Sequence, residues 1–301
     1  MNRLVVQTAS KINLDLRITG RRADGFHDLR TLFQTIDFGD TIEIEAASHL
    51  ELIVDENSIP ADQTNIVWKA AEALQREIGR PAGARLTLRK RVPAGGGLGG
   101  GSGDGAAALL ALNEFWKSNV SPDRLHEIGS ELGSDVPFFL VGGRAQGRGR
   151  GEILQAEPDG EDEEFLLLIP GGALLTAEVY RDFAAHEGAG LTKSEAASNI
   201  AALHGFHVLA SVRSRNDLEP AVFRLRPDLE LLKGRLFELG ASEALVSGSG
   251  VCLFARFSTR RVPSIADEGW PEDVKAKRCR FLSRLEYRKR LGIGSHGDFS
   301  S

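Results

Sequence analysis

The chain has 301 residues and a mass of 32.6 kDa, a length typical of two domains of ordinary size. Hydrophobic residues make up 42% and charged residues 26%, which excludes wholesale disorder. The net charge of −5 disfavours a protein that coats nucleic-acid phosphates. The chain has two cysteines, Cys252 and Cys279, so a disulfide framework is excluded, although a single bridge stays open.

No stretch reaches the ~18–20 apolar residues that span a membrane. The longest apolar candidate, Phe165–Ile169, stops at Pro170, and the N-terminal apolar patch is too short for the core of a signal peptide. These features predict a cytoplasmic protein that neither enters a membrane nor binds nucleic acid. They do not distinguish a monomer from a homodimer.

The N-terminal half begins with the pattern of β-strands. Apolar and polar residues alternate over Ile12–Ile18 and again over Thr41–Glu45, with a turn-rich stretch at Gly20–Gly25 between them. A further strand-like segment, Leu86–Val92, leads into the densest glycine cluster of the chain, Gly95–Gly105. This junction of strand and glycine loop is the first candidate for a functional element.

Three helices are predicted in the same half. One has helical spacing from Val67 to Ile78, one is rich in Ala and Leu from Ala106 to Trp116, and one is capped by Ser121 and ends at Gly133. Either Thr64 or Asn65 is expected to cap the first of them.

The acidic stretch 158–164 is the predicted linker between residues 1–160 and residues 161–292, and a polar tail follows at 293–301. Beyond the linker, strand-like and helical patterns are expected at Phe165–Ile169, Ala177–Ala185, Asn216–Leu225, Pro227–Leu239 and Val251–Phe257. Long helices mixed with alternating strands predict an α+β fold with two layers in each domain.

A strand, a glycine-dense loop and a helix form a phosphate-binding arrangement, because glycine admits a close anion and a helix N-terminus attracts negative charge. A Walker A loop is excluded, since Gly101 is followed by Ser102 with no lysine. Gly95, Gly97 and Gly100 formally satisfy the dinucleotide pattern GxGxxG, but they lie far from the start of the chain. A different nucleotide loop and a flexible glycine turn both stay open.

The segment Pro93–Ser102, Pro-Ala-Gly-Gly-Gly-Leu-Gly-Gly-Gly-Ser, resembles the ATP-loop signature of the GHMP kinases. Two further signatures of that superfamily occur in the right order, Lys-Ile-Asn-Leu at Lys11–Leu14 and Ser-Gly-Ser-Gly at Ser247–Gly250. The resemblance implies the two-domain GHMP kinase fold. This fold has an N-terminal ATP-binding α/β domain and a C-terminal ferredoxin-like domain, with the active site in the cleft between them.

Four other stretches resemble one branch of this superfamily, which phosphorylates an alcohol carrying a cytidine diphosphate group. They are Gly20–His27, Gly133–Phe139, Asn216–Pro220 and Arg284–Tyr287, and the whole resemblance covers about residues 5–290. It implies a kinase that uses ATP and Mg²⁺ on a small substrate with a cytidine diphosphate moiety, in the synthesis of isoprenoid precursors.

Two residues are expected to carry the chemistry. Asp135 by itself has the position of a cap or turn residue, but its context Asp-Val-Pro-Phe-Phe resembles the catalytic segment of the family and implies a general base. Lys11 by itself could extend to solvent. The resemblance implies that it keeps Asp135 ionised and offsets phosphate charge. Asn13, on the same strand face, is expected to bind the acceptor end of the substrate.

A cytosine pocket is implied around Phe26 and His27, although His27 alone has the pattern of a surface-loop histidine. In this interpretation Phe26 stacks on the base, His27 bonds its edge, and Tyr180, which follows Thr176, forms the opposing face. The branch usually has Tyr at the position of Phe26, so stacking is retained and a hydroxyl is lost. Core packing is an equal alternative for Tyr180.

On the nucleotide side, the resemblance implies that Asn65 and Lys90 lie near the adenine. The phosphates are assigned to Pro93, Gly95, Gly97, Leu98, Gly99, Gly100, Gly101 and Ser102, with support from Ser247, Gly248, Ser249 and Gly250 of the second domain. Mg²⁺ is expected only with ATP, because no cluster of His, Cys and Asp suggests a tightly held metal.

The chain departs from the family beside this loop, where Gly103-Asp104-Gly105 replaces the common Ser-Asn-Ala. Asp104 brings a carboxylate near the phosphates, where it either caps the helix or favours a bound Mg²⁺. Three rival functions remain: another GHMP kinase, a non-catalytic nucleotide-binding regulator, and a dinucleotide-dependent oxidoreductase. The presence of both Lys11 and Asp135 disfavours the regulator.

Overall fold

The structure is a computed structural model that describes residues 3–160, 162–186, 214–259, 262 and 269–292. The polar tail predicted at 293–301 lies outside these ranges. The described strands form three four-stranded sheets, and helices cover the first and third of them. Both cysteines in the described part are free and buried, so the single bridge that the sequence left open is not formed.

The first sheet has the strand order β1-β4-β6-β5, and its only parallel pair is β5 with β6. The strands are β1 (Arg3–Gln7), β4 (Thr41–Glu45), β5 (Leu50–Val54) and β6 (Ala84–Arg89). Its hydrophobic core includes the helices α1 (Ile66–Glu77), α2 (Gly100–Phe115) and α3 (Pro122–Leu132). Burial of their apolar faces is the main force that fixes α2 against the sheet.

The second sheet has the antiparallel order β2-β3-β7-β8. Its strands are β2 (Ser10–Arg21), β3 (His27–Ile36), β7 (Arg144–Gly149) and β8 (Ile153–Glu157), and the short helix α4 (Val136–Val141) precedes β7. The long β2–β3 hairpin brings the start of β2 beside α4.

The third sheet has the antiparallel order β10-β11-β9-β12, which is the ferredoxin-like order. Its strands are β9 (Glu164–Pro170), β10 (Glu243–Val246), β11 (Leu253–Arg256) and β12 (Val274–Arg280). The helices α5 (Thr176–His186), α6 (Glu219–Leu225) and α7 (Pro227–Glu238) pack in its core. The last described helix, α8 (Arg284–Arg290), returns to the core of the first sheet through Tyr287. The boundary at 160/161 stays a prediction.

Several local predictions are confirmed. Asn65, rather than Thr64, caps α1, because its Oδ1 accepts from the N–H of Val67 at 2.8 Å. Ser121 caps α3 by accepting from the N–H of Arg124, with Pro122 in the first turn.

The start of α2 was predicted too late, at Ala106, because glycine is a poor helix former. The helix begins at Gly100, and close packing explains why glycine is tolerated there. A Cβ on Gly103 would lie 2.4 Å from the carbonyl oxygen of Ala9, and one on Gly105 would lie 2.9 Å from Ile66. Tertiary packing therefore overrides local propensity in this turn.

The structure also contains elements that the sequence did not predict, among them β1, β7, β8, β10 and α4. They are short, and β7 carries two glycines, so their alternation is weak. The helix expected from Asn216 begins only at Glu219, since the Asn216 side chain forms a turn by accepting from the N–H of Leu218. In the described part of the chain, no helix combines the length and the apolar character that a membrane crossing requires.

Candidate active site

The glycine loop between β6 and α2 is shaped by backbone conformations that favour glycine. Gly97 and Gly99 have φ values of 76° and 66°, in the left-handed region. Gly99 is the N-cap of α2 and makes no side-chain capping bond, and no acidic residue lies in the first turn. The leading N–H groups of α2 therefore form an uncapped, electropositive end that suits a phosphate group.

The Ser247–Gly250 loop of the second domain interlocks with this glycine loop. A Cβ on Gly97 would lie 1.8 Å from the carbonyl oxygen of Ser247, so the two backbones touch. Ser247 Oγ donates to the carbonyl of Gly97 at 2.9 Å, and the N–H of Cys252 donates to Gly96 at 3.2 Å. The structure thus brings together the two motifs that the sequence paired.

Lys11 lies directly below the glycine loop, at the start of β2. Its backbone N–H donates to the carbonyl of Leu98 at 2.9 Å, and the residue is 4% exposed. Nζ donates to Asn13 Oδ1 at 2.6 Å and lies 5.6 Å from the ring centre of Phe33. Burial lowers the pKa of Lys11, and the nearby carboxylate of Asp135 partly opposes this shift.

Asp135 follows the end of α3 and forms an ion pair with Lys11, with 3.8 Å between Oδ2 and Nζ. It occupies the N-cap position of α4, but its side chain makes no capping hydrogen bond. The carboxylate is 30% exposed and so is accessible to a substrate. The turn at Gly151 also faces it, because a Cβ there would lie 3.8 Å from Oδ1. A partly exposed carboxylate beside a buried ammonium can accept a proton from a bound hydroxyl.

Asn13, the expected acceptor contact, has both side-chain groups engaged within the protein. Oδ1 accepts from Lys11, and Nδ2 donates to Thr31 Oγ1 at 2.7 Å. Sequence reasoning missed Thr31, because its distance from Asn13 is set by pairing of β2 with β3. A substrate contact of Asn13 stays a prediction.

The predicted cytosine pocket is an aromatic cluster around His27. The rings of His27 and Tyr180 are stacked with centroids 5.4 Å apart, and Phe183 meets His27 edge-on at 5.8 Å. Burial lowers the pKa of His27, and Arg21 adds to the shift, which favours the neutral ring. His27 Nε2 is buried without a hydrogen-bond partner in the described structure. Such an atom is a candidate ligand contact.

Phe26 stands apart from this stack and is 55% exposed. The guanidinium of Arg150 lies over its ring at 5.2 Å, a contact that the sequence did not predict. Thr176 lies at the start of α5, where its Oγ1 accepts from Ser249 Oγ at 3.0 Å. Ser249 and Thr176 therefore link the supporting loop to the helix that carries Tyr180.

Lys90 and Asp104 lie below the first turns of α2. Lys90 Nζ is 2.8 Å from Asp104 Oδ2 and 2.5 Å from Asp40 Oδ2, and all three side chains are largely buried. A Cβ on Gly100 would lie 3.6 Å from this ammonium. Asp104 is in the second turn of α2, so the expectation that it caps the helix is wrong: the cap is Gly99. The buried carboxylate of Asp104 forms an ion pair with Lys90.

Two other motif residues, Asn216 and Tyr287, support the site through hydrogen bonds to backbone carbonyls. Asn216 Nδ2 donates to the carbonyls of Val246 and Gly248, at 2.9 and 2.7 Å, and so shapes the supporting loop. Tyr287 is buried and its hydroxyl donates to the carbonyl of Phe139 in α4 at 2.6 Å. This contact fixes the helix whose N-cap is Asp135.

Among the described residues, no group of three or more His, Cys, Asp or Glu side chains is arranged to hold a metal ion.

Comparisons with known proteins agree with this geometry. The family "GHMP kinases N terminal domain" matches residues 65–143, and "GHMP kinases C terminal" matches residues 196–275. The 4-diphosphocytidyl-2-C-methyl-D-erythritol kinase of Solibacter usitatus is 38% identical over 94% of this chain and 90% of its own length. The protein of that name from Pelotomaculum thermopropionicum is 40% identical over 81% of this chain and 86% of its own length.

Two solved structures are similar over most of the chain. A crystal structure of 4-(cytidine 5'-diphospho)-2C-methyl-D-erythritol kinase has a TM-score of 0.74 and 30% identity, and covers 92% of this chain and 99% of its own. Homoserine kinase from Cytophaga hutchinsonii has a TM-score of 0.72 at 17% identity, with coverages of 94% and 95%. The second likeness concerns the fold alone.

Proposed function

Because the chain belongs to the GHMP kinase family, we propose that it transfers the γ-phosphoryl group of ATP to the 2-hydroxyl of 4-diphosphocytidyl-2-C-methyl-D-erythritol. The single observation that carries the proposal is the placement of the Lys11–Asp135 pair directly below the glycine loop. A phosphoryl transfer to an alcohol needs a phosphate cradle, a proton acceptor and a fixed cation, and these three meet here.

The residues of the chain perform three tasks in this proposal. The backbone of Gly97–Ser102 holds the phosphates at the N-terminus of α2. Asp135 orients the acceptor hydroxyl and takes its proton at Oδ1 or Oδ2. Lys11 lies beside Asp135 and offsets charge on the transferred group, and its burial strengthens this effect. Transfer is direct, from donor to hydroxyl, with no covalent intermediate on the protein.

Mg²⁺ bound with ATP would neutralise charge on the phosphate oxygens. We also propose a cytoplasmic location, which the low number of cysteines in the sequence supports. All residues of the proposed site come from one chain, so the site is compatible with either a monomer or a homodimer.

The cytidine end of the substrate is assigned to the His27–Tyr180 stack and to Phe26, which stands apart from that stack. The neutral ring of His27 has an unpartnered Nε2, which suits hydrogen bonding to the edge of a base. Tyr180 and the exposed Phe26 offer aromatic faces. Another kinase of this fold would not require this pocket, so the pocket distinguishes the proposal from its nearest rival.

The test is an ADP-release assay with ATP and Mg²⁺ that compares the cytidylyl substrate with homoserine, mevalonate and phosphomevalonate. We expect turnover with the cytidylyl substrate alone. His27→Ala should raise the KM for that substrate and leave the KM for ATP unchanged, since the nucleotide loop is elsewhere. Turnover on another acceptor, or an unchanged KM in His27→Ala, would overturn the substrate assignment.

A further inference from the structure

We propose that the hydroxyl of Thr31 is a positioning group for Lys11 and acts through the side-chain amide of Asn13. This inference rests on the proposed function, because it takes Lys11 to be the cation that must stay charged during phosphoryl transfer. Thr31 lies on β3 and is buried, so a contact with substrate is not its role.

Two consecutive hydrogen bonds connect Lys11 with Thr31, and a third anchors Thr31 to the backbone. Lys11 Nζ donates to Asn13 Oδ1 at 2.6 Å, and Asn13 Nδ2 donates to Thr31 Oγ1 at 2.7 Å. Thr31 in turn donates its single hydroxyl proton to the carbonyl of Asp15 at 2.7 Å. Asn13 and Thr31 are 2% and 1% exposed, so water does not replace these partners.

The bond from Thr31 to Asp15 fixes the donor-to-acceptor direction of the whole chain of hydrogen bonds, which we call the relay. A backbone carbonyl only accepts, so the proton of Thr31 points to Asp15 and its oxygen is left to accept from Asn13. This choice turns the amide nitrogen of Asn13 towards Thr31 and its oxygen towards Lys11. A reversed amide would direct N–H groups at the ammonium, which is repulsive in a buried site.

The orientation of the Asn13 amide matters because few groups near Lys11 stabilise its protonated form. Burial lowers its pKa, and Asp135, on the N-cap of α4, opposes the shift from 3.8 Å. Within the described ranges, Asp135 is the only carboxylate within 4.0 Å of Nζ. The other neighbours are uncharged: the Phe33 ring of β3 and the glycines Gly99 and Gly248. The short bond to Asn13 therefore stabilises the charged form.

Replacing Thr31 by valine keeps the shape of the side chain and removes the hydroxyl. Asn13 then loses the partner that orients it, and the pKa of Lys11 falls further. Lys11 must be protonated for activity, so activity is lost as the pH rises through the pKa of Lys11. In Thr31→Val this loss should begin at a lower pH than in wild type. We expect kcat to fall about 10- to 100-fold, with the KM for ATP nearly unchanged. Thr31→Ser, which retains the hydroxyl, should stay close to wild type.

The kinetic test measures kcat and KM across pH for wild type, Thr31→Val, Thr31→Ser, Asn13→Ala and the double variant Asn13→Ala/Thr31→Val. If Thr31 acts through Asn13, Thr31→Val should have little further effect in the Asn13→Ala background. An earlier alkaline loss in Thr31→Val, restored in Thr31→Ser, supports the relay. An unmoved pH profile, or a full additional loss in the double variant, overturns it.

A second measurement separates this inference from the proposed function. Protein labelled with ¹³C at the lysine Cε positions is titrated by NMR without substrates, and the Lys11 signal is assigned from a Lys11→Met spectrum. A lower titration point in Thr31→Val than in wild type and Thr31→Ser supports the relay, whatever the acceptor proves to be. The same titration point in all three overturns it. Failure of wild type with the cytidylyl substrate contradicts only the proposed function.

Discussion

Asp104→Asn tests whether the buried Asp40–Lys90–Asp104 cluster stabilises the protein or costs it stability. Two carboxylates share one ammonium there, and Asp104 is 1% exposed, with Oδ1 lacking a hydrogen-bond partner in the described structure. Burial raises the pKa of Asp104 to about 7; the attraction of Lys90 opposes this, and Asp40 adds to it. Desolvation therefore outweighs the ion pair.

The sign and size of the effect follow from this pKa. In the unfolded chain the carboxyl has its ordinary pKa of 3.8, while the folded protein retains the proton up to a pKa of about 7. Between these values the folded state binds more protons, so stability falls as pH rises. The change is about 1.4 kcal/mol for each pH unit and ends near pH 7, so wild type should lose about 3 kcal/mol relative to Asp104→Asn between pH 5 and pH 8.

Urea unfolding followed by circular dichroism at several pH values measures this difference. The variant should be the more stable protein at pH 8, because its amide still accepts from Lys90 and carries no charge. Asp123→Asn, at an exposed site in the first turn of α3, is the control and should change little with pH. Parallel curves of unfolding free energy against pH for the two proteins would refute the reasoning. A variant less stable than wild type at pH 8 would also refute it, and would show that the ion pair is net stabilising.

Three further changes probe other parts of the site. Gly97→Ala should abolish detectable ATP binding in calorimetry, because its Cβ would meet Ser247 at 1.8 Å and its φ is 76°; wild-type affinity would contradict the interlocked loops. Tyr287→Phe should lower the unfolding free energy by about 1 kcal/mol through loss of the bond to Phe139, and an unchanged urea midpoint would speak against it. Lys11→Met should lower kcat at least about 100-fold in the ADP-release assay, whereas near-normal turnover would remove Lys11 from the mechanism.

The parts of the site that the sequence predicted are those written in short, contiguous motifs. The Pro93–Ser102 loop combines glycine conformations with a following helix, so its shape is encoded locally. Lys11 and Asp135 were assigned roles by resemblance, and the fold places them 3.8 Å apart. Their chemical roles stay predictions until the variants are measured.

The remainder depends on contacts between distant segments. Asp40 meets Lys90 across 50 positions of sequence, and no periodicity signals such a pair. Thr31 reaches Asn13 only because the β2–β3 hairpin has a particular register, including its bulge after Asn13. The early start of α2 has the same origin, since the carbonyl of Ala9 leaves no room for a side chain at Gly103.

The most direct test of the central claim is the ³¹P NMR spectrum of the product formed from ATP and 4-diphosphocytidyl-2-C-methyl-D-erythritol. Carbon 2 of that substrate carries a methyl group and no hydrogen. Transfer to the 2-hydroxyl therefore predicts a new phosphomonoester signal without three-bond coupling to a carbinol proton, formed by wild type and not by Asp135→Ala. A coupled signal would place the phosphate on another hydroxyl, and the absence of any new phosphomonoester would contradict the proposed reaction.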